Sequence, residues 1–108
     1  MPPVVIIGHF RYANANLMSV AHDWLEDNGD FSGFEGMLRA EAFHIVPDRG
    51  MGLFFFDTKE NAQAALLEMK QRMRDYAQMF EYRVSWELGF MNETLSKKIS
   101  QKNVASKV

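Results

Sequence analysis

The segment MLRAEAFHIVPDRGMGLFFF, residues 37–56, contains the clearest structural signal in the sequence. It contains two runs that are typical of strands, Met37–Val46 and Met51–Phe56, separated by the tetrapeptide Pro47-Asp-Arg-Gly50. Proline presets the backbone angle that a turn needs, and glycine accepts angles that other residues avoid. The segment is therefore predicted to form a β-hairpin with Pro47–Gly50 as its turn.

A strand and a helix are predicted before the hairpin. Residues 4–12 start with a β-branched run after two prolines and then alternate, which is typical of a strand. Asn14 and Asn16 are candidate caps of the helix that follows, and Asn28 with Gly29 ends it. Its apolar residues recur at helical spacing: Leu17, Val20, Ala21, Trp24 and Leu25.

A second helix and a last strand are predicted after the hairpin. Asp57 or Thr58 can cap a helix of about six turns whose apolar face extends to Phe80. Residues 83–90 alternate polar with apolar side chains, which indicates a strand with one wet and one dry face. The order is therefore βαββαβ. Right-handed crossovers then predict an α+β fold, a four-stranded antiparallel sheet with both helices on one face.

The composition restricts the class of protein. A chain of 108 residues has room for one core, and the absence of cysteine removes disulfides, thiolate nucleophiles and thiolate zinc sites. No basic leader with a long apolar run opens the sequence, so neither a signal peptide nor a membrane span is predicted. A cytoplasmic protein is expected.

Charge is distributed unevenly along the chain. Residues 1–92 carry 8 Lys and Arg against 13 Asp and Glu, a net charge of −5, whereas residues 93–108 carry 4 Lys against Glu93, a net charge of +3. An acidic body disfavours a nucleic-acid backbone as partner. Residues 1–92 are expected to form the domain, and residues 93–108 a polar tail that is weakly ordered or lies as an arm on a dimer partner.

One face of the predicted sheet has no helix to cover it. Strand alternation places on this open face Val5, Ile7, His9 and Arg11, then Arg39, Glu41 and Phe43, then Arg83, Ser85 and Glu87. In the third strand both alternating sets are apolar, which indicates burial on both faces. The open face is therefore expected to be the interface of a homodimer.

Two interpretations fit the charged residues of the open face. In the first they form ion pairs of a dimer interface, because structural ion pairs commonly resemble sites. In the second, His9 is a catalytic acid or base, and Arg11, Arg83, Ser85 and Glu87 bind a small substrate such as an anion or enolate. Both interpretations place the same side chains between two sheets.

One stretch resembles the RNA-recognition motif. RGMGLFFF at 49–56, followed by DTKENAQAA at 57–65, is similar to the third strand and second helix of that family. The resemblance implies an open sheet whose aromatic rings stack bases, but Met51, Leu53 and Ile6 occupy the three ring positions. A degenerate RNA-recognition module stays an alternative, and nucleic acid is not the expected partner.

Residues 3–92 resemble the dimeric α/β-barrel superfamily, and within it the antibiotic-biosynthesis-monooxygenase-like domains. The shared marks are HFR at 9–11, FSGF at 31–34 and FFFDTKE at 54–60. The resemblance implies a ferredoxin-like fold in which the open sheets of two copies pair into a barrel. Members include cofactor-free oxygenases and haem-degrading enzymes.

The haem-degrading pattern of that superfamily is not matched. That pattern has Asn in strand one, where this sequence has His9. It has Trp at the end of strand three, where this sequence has Phe56 or Asp57, and His on helix two, where this sequence has no histidine. No cofactor is therefore expected, and the spacing of His9, His22 and His44 predicts no metal site.

The expected function is that of a homodimer that binds a small molecule. Cofactor-free oxygenation of a small aromatic or anionic compound is the activity that the superfamily resemblance implies. A non-catalytic structural or regulatory dimer is the alternative, beside the degenerate RNA-recognition module.

Overall fold

The predicted βαββαβ order is confirmed, and a third helix follows it. The structure is a computed structural model that describes residues 3–105, with side chains up to residue 101. Its elements in chain order are β1 (Val4–Arg11), α1 (Ala15–Asn28), β2 (Met37–Ile45), β3 (Arg49–Phe56), α2 (Lys59–Phe80), β4 (Arg83–Phe90) and α3 (Glu93–Ala105).

The strands form one sheet in the order β2-β3-β1-β4, with every neighbouring pair antiparallel. The two central strands are β1 and β3, and β4 is the edge strand beside β1. Helices α1 and α2 pack together on one face of this sheet. The arrangement is the ferredoxin-like α+β fold that the sequence predicts.

The core lies between the sheet and the two helices. One cluster joins Val4, Ile6, Phe54 and Phe56 of the central strands to Ala62, Ala65 and Met69 of α2. A second cluster gathers Tyr12, Met18, Ala21, Phe80 and Tyr82 at the other end. Ile6 is 0% exposed while its neighbour Ile7 is half-buried on the opposite face, so the predicted alternation of β1 is confirmed. We call the two sides of the sheet the helix face and the open face.

Side-chain caps begin both long helices where the sequence predicted them. The Oδ1 atom of Asn14 accepts a hydrogen bond from the Leu17 backbone N–H at 2.8 Å, and the Thr58 Oγ1 atom accepts one from Asn61 at 3.1 Å. Such bonds satisfy backbone donors that have no partner in the first helical turn. Helix α2 has 22 residues, in agreement with the predicted six turns. In the part of the chain that the structure describes, no helix is both long and apolar enough to cross a membrane.

The hairpin turn is shorter than predicted. It consists of residues 46–48, and Arg49 and Gly50 already belong to β3. Gly50 lies close to α1: a Cβ atom there would be 3.1 Å from the Nε2 atom of His22, so the His22 ring would have to shift by a few tenths of an ångström. A glycine that makes room for a packed side chain was thus mistaken for a turn glycine. The correction shifts Arg49 from the turn into the sheet.

Residues 93–105 form the helix α3. Weak order, one of the two expectations for the tail 93–108, stays a prediction, and residues 106–108 lie outside the described residues. The Asn92 Oδ1 atom accepts a hydrogen bond from the Leu95 backbone N–H at 2.9 Å, which caps a segment rich in Lys, Gln and Ser. Leu95 and Ile99, one turn apart, are 50% and 53% exposed. The other expectation, an arm that lies on a dimer partner, stays a prediction.

Candidate functional site

Three arginines lie side by side across the open face. In the strand register Arg11 of β1 is the partner of Arg49 on β3 and of Arg83 on β4. All three side chains are exposed, and none takes part in an ion pair found among the described residues. We call Arg49, Arg11 and Arg83 the arginine row. Directly opposed like charges destabilise a sheet, so this row has a cost that nothing within the described chain offsets.

His9 occupies the next position along β1 on the same face. Its strand partners are Met51 and Ser85. The His9 Nε2 atom lies 3.2 Å from the Glu87 Oε2 atom, and both side chains are partly exposed. This contact orients the imidazole and leaves its Nδ1 atom free of that carboxylate.

A pocket of about 360 Å³ lies over this end of the open face. Its walls are formed by His9, Phe10, Arg11, Ile45, Arg49, Gly50, Arg83, Val84 and Ser85. Four of the five site residues predicted from the sequence therefore share one pocket, and the fifth, Glu87, contacts it through His9. Arg49 was not predicted as a site residue, because the predicted turn 47–50 included it and so assigned it to no face of the sheet.

Ion pairs within the chain account for one part of the open face only, and ion pairs across a dimer interface stay a prediction. The Arg39 Nη1 atom lies 3.0 Å from Glu41 Oε1, and the guanidinium covers the Phe55 ring at 4.1 Å from its centroid. Glu87 is engaged by His9. Both acidic residues predicted on this face therefore have a partner other than the arginine row.

A second pocket, of about 450 Å³, lies on the helix face beside α1. Its apolar walls include Phe10, Leu25, Phe31, Phe54 and Met73, its floor includes Ala42 and Gly52, and its polar side chains are Tyr12, His22, Glu26 and His44. A mostly apolar cavity with a few converging polar groups is the usual form of a small-molecule site. No spacing in the sequence showed it, because α1 and β2 come together only through the tertiary fold.

His22 and His44 meet at the mouth of the second pocket. The His22 Nδ1 atom lies 3.2 Å from both ring nitrogens of His44, and the two rings are perpendicular with centroids 4.2 Å apart. The two rings therefore pack edge to face. No group of three metal-ligating side chains occurs within the described residues.

Burial adjusts the protonation of two groups in the second pocket. It lowers the pKa of His22, an effect that His44 strengthens and Asp23 opposes. It raises the pKa of Tyr12 to about 12. At neutral pH the pocket therefore presents a neutral imidazole and a protonated phenol, a base beside an acid.

The positions that align with base-stacking rings of the RNA-recognition motif do not form one surface. Met51 and Leu53 are on the open face as expected, but Ile6 points to the helices and is fully buried. Ile6, the residue aligned with the third ring position, therefore cannot contact a base on the open face.

No family model matches this sequence, and no curated protein matches it either. Solved structures do. A dimeric ferredoxin-like protein from an uncultured marine organism has a TM-score of 0.66 and 12% identity, over 84% of this chain and 89% of that chain. A protein of unknown function from Nitrosomonas europaea has a TM-score of 0.66 and 14% identity, over 85% and 91%.

A third similar structure belongs to a characterised enzyme. It is SnoaB, a cofactor-independent oxygenase from Streptomyces nogalater, with a TM-score of 0.52 and 9% identity over 85% of this chain and 95% of that chain. The fold is ferredoxin-like. The resemblance to ferredoxin-like and monooxygenase-like structures that the sequence predicted is confirmed at the level of fold, and identities this low carry no activity across.

Proposed function

We propose that the protein is a homodimer that binds a small anionic molecule at the arginine row, in the pocket over the open face. The observation that carries the proposal is the row itself. Three exposed guanidinium groups on adjacent strands line one pocket and have no carboxylate partner among the described residues. A bound anion supplies the missing charge.

The remaining side chains of the pocket have distinct roles in this proposal. Arg11 and Arg83 hold the anion, because guanidinium groups present paired N–H donors that match a carboxylate or phosphate. The Ser85 hydroxyl, opposite His9 in the register, donates a hydrogen bond to the ligand. Glu87 keeps the His9 ring in place, and His9 gives or takes a proton at its Nδ1 atom.

A second copy of the chain completes the pocket. Val5, Ile7, Met51, Leu53 and Phe43 form an apolar strip on the open face next to the arginine row. Such a strip on a free sheet marks an interaction surface. A structurally similar protein is described as dimeric and ferredoxin-like, which supports pairing of two copies through this face. A partner sheet would also exclude water from the pocket and strengthen its electrostatics.

The likeness to SnoaB supports an oxygenase reaction for this protein, at a different place from the arginine row. The second pocket has the side chains that such a reaction needs. Its aromatic walls suit a flat aromatic substrate, and the neutral His22 beside Tyr12 can remove a proton from a phenol or enol. The deprotonated substrate is electron-rich, and dioxygen would be the oxidant. This oxygenase is our second candidate function.

The two candidates are separated by ligand-induced thermal stabilisation. Wild type, Arg83→Ala and the matched control Arg74→Ala, which removes an exposed arginine of α2, are melted with small anions and with neutral phenols. We expect anions to raise the melting temperature of wild type and of Arg74→Ala but not of Arg83→Ala. Stabilisation by phenols alone, lost in His22→Ala, would favour the second pocket and overturn the first proposal.

A further inference from the structure

We infer that the arginine row selects a ligand that carries two negative charges, a phosphate monoester or a dicarboxylate. The inference rests on the proposed anion site and specifies its ligand. Arg49 adds the third positive charge, which favours a dianion over a monoanion.

The pocket carries a positive charge. Arg11, Arg49 and Arg83 place three positive charges on its wall, and its other lining residues include no acidic side chain. Glu87, the carboxylate that approaches the pocket, is bound to His9 at 3.2 Å. One carboxylate would leave two guanidinium charges uncompensated beside each other. A dianion leaves one, and removing a like-charge repulsion adds to its affinity.

The arginine row spans three neighbouring strands. Neighbouring strands lie about 4.8 Å apart, so the Cα atoms of Arg49 and Arg83, separated by β1, are roughly 10 Å apart. A single carboxylate has two oxygens held on one carbon atom, and a bidentate guanidinium already takes one lone pair of each. A phosphate offers three terminal oxygens, and a dicarboxylate offers two separate carboxylates. Both can reach all three arginines, which converge from adjacent strands.

The pocket also has volume and apolar wall next to the three arginines. A volume of about 360 Å³ exceeds what an inorganic anion fills, and Ile45, the strand partner of Arg49, contributes apolar wall on the open face. The pocket therefore accepts a ligand with a carbon body next to its charged group. The net charge of −5 over residues 1–92 makes the arginine row a local positive site on an acidic domain, which directs anions to this place.

The experiment measures binding by calorimetry with three probes at matched ionic strength: inorganic phosphate, malonate and acetate. We expect phosphate and malonate to bind wild type about tenfold or more tightly than acetate. Phosphate affinity should rise between about pH 6 and 8, where the anion loses its second proton, while malonate affinity does not rise. Phosphate tighter than malonate assigns a phosphate monoester, and the reverse assigns a dicarboxylate.

Two arginine variants separate the inference from the proposed function. Arg49→Gln should reduce the preference for dianions over acetate to about threefold or less, and Arg74→Gln should leave it unchanged. Acetate bound as tightly as malonate and phosphate, with loss of all binding in Arg83→Ala, would overturn the dianion and retain the anion site. Absence of binding for all three probes, or equal losses in Arg74→Gln and Arg49→Gln, would overturn both.

Discussion

Ile6 and Ile7 are adjacent in β1 and belong to two different environments. Ile6 lies on the helix face with 0% exposure, among Phe54 and Phe56 of β3. Ile7 lies on the open face, beside Leu53 and close to the charged residues. Packing within one chain explains every side chain of the helix-face core. On the open face packing explains much less, because the arginine row lowers stability unless something outside the chain binds it.

The largest expected effect separates the two faces directly. Ile6→Ala should lower the free energy of unfolding by about 2 to 5 kcal/mol, since it leaves a cavity in a closed core. Ile7→Ala should cost the isolated chain only about 1 kcal/mol, because its side chain is already partly exposed. Urea denaturation at a concentration where sedimentation shows monomers measures both. Equal losses would contradict the contrast between the faces.

The next effect concerns assembly through the open face. Leu53→Glu introduces a charge into the apolar strip and should weaken the dimer by about 2 kcal/mol or more. Because Leu53 is opposite Glu41 in the strand register, the new carboxylate should also cost each copy about 0.2 to 1 kcal/mol. Leu67→Glu is the matched control, because Leu67 is 73% exposed on α2. Sedimentation should show Leu53→Glu as a monomer where wild type and the control are dimers. A wild-type chain that stays monomeric would refute the pairing of open faces.

The sequence predicts the fold almost completely because each element carries a local signal. The alternation of β1 and β4, the asparagine cap of α1 and the long apolar face of α2 are all confirmed. The turn was misplaced by Gly50, since a glycine that lies close to a helix and a glycine needed for a turn look alike in a sequence. A single wrong turn boundary was enough to remove Arg49 from the site.

The sequence predicted most of the polar residues of the open-face pocket but not those of the second pocket. The open-face pocket is built from residues at alternate positions of neighbouring strands, so pattern and topology together brought His9, Arg11, Arg83 and Ser85 into one place. The second pocket depends on how α1 is seated over β2 and β3. The packing angle of a helix on a sheet is set by many side chains at once, and no spacing along the chain reports it.

A smaller effect tests the cost of the arginine row. Arg11→Gln keeps most of the side-chain stem and removes the central charge, so it should raise the free energy of unfolding by about 0.2 to 1 kcal/mol at low salt. The gain should disappear at about 0.5 M NaCl, where exposed charges are screened. Arg74→Gln serves as control and should show no such gain. A salt-independent loss of stability in Arg11→Gln would reveal a stabilising partner and contradict the unpaired row.

The smallest effect belongs to the helix face, at the contact between His22 and His44. Burial holds the pKa of His22 below its ordinary value, so as the pH falls the unfolded chain takes up the proton before the folded chain does. The stabilising contribution is therefore fully present above the unfolded pKa and is lost as the pH falls from about 6.5 through the folded pKa. Asp23 opposes this shift, while His44 increases it and would itself repel a charged His22.

His22→Gln removes the titrating group from that contact. Wild type should lose stability relative to this variant on going from neutral to mildly acidic pH, and the two profiles should run parallel above neutral pH. Urea denaturation at a series of pH values measures the difference, and His9→Gln on the open face is the comparison. If the wild-type and His22→Gln profiles stay parallel through the acidic range, His22 is not held neutral by the fold. The lowered pKa of His22 that supports the oxygenase candidate would then be absent from the second pocket.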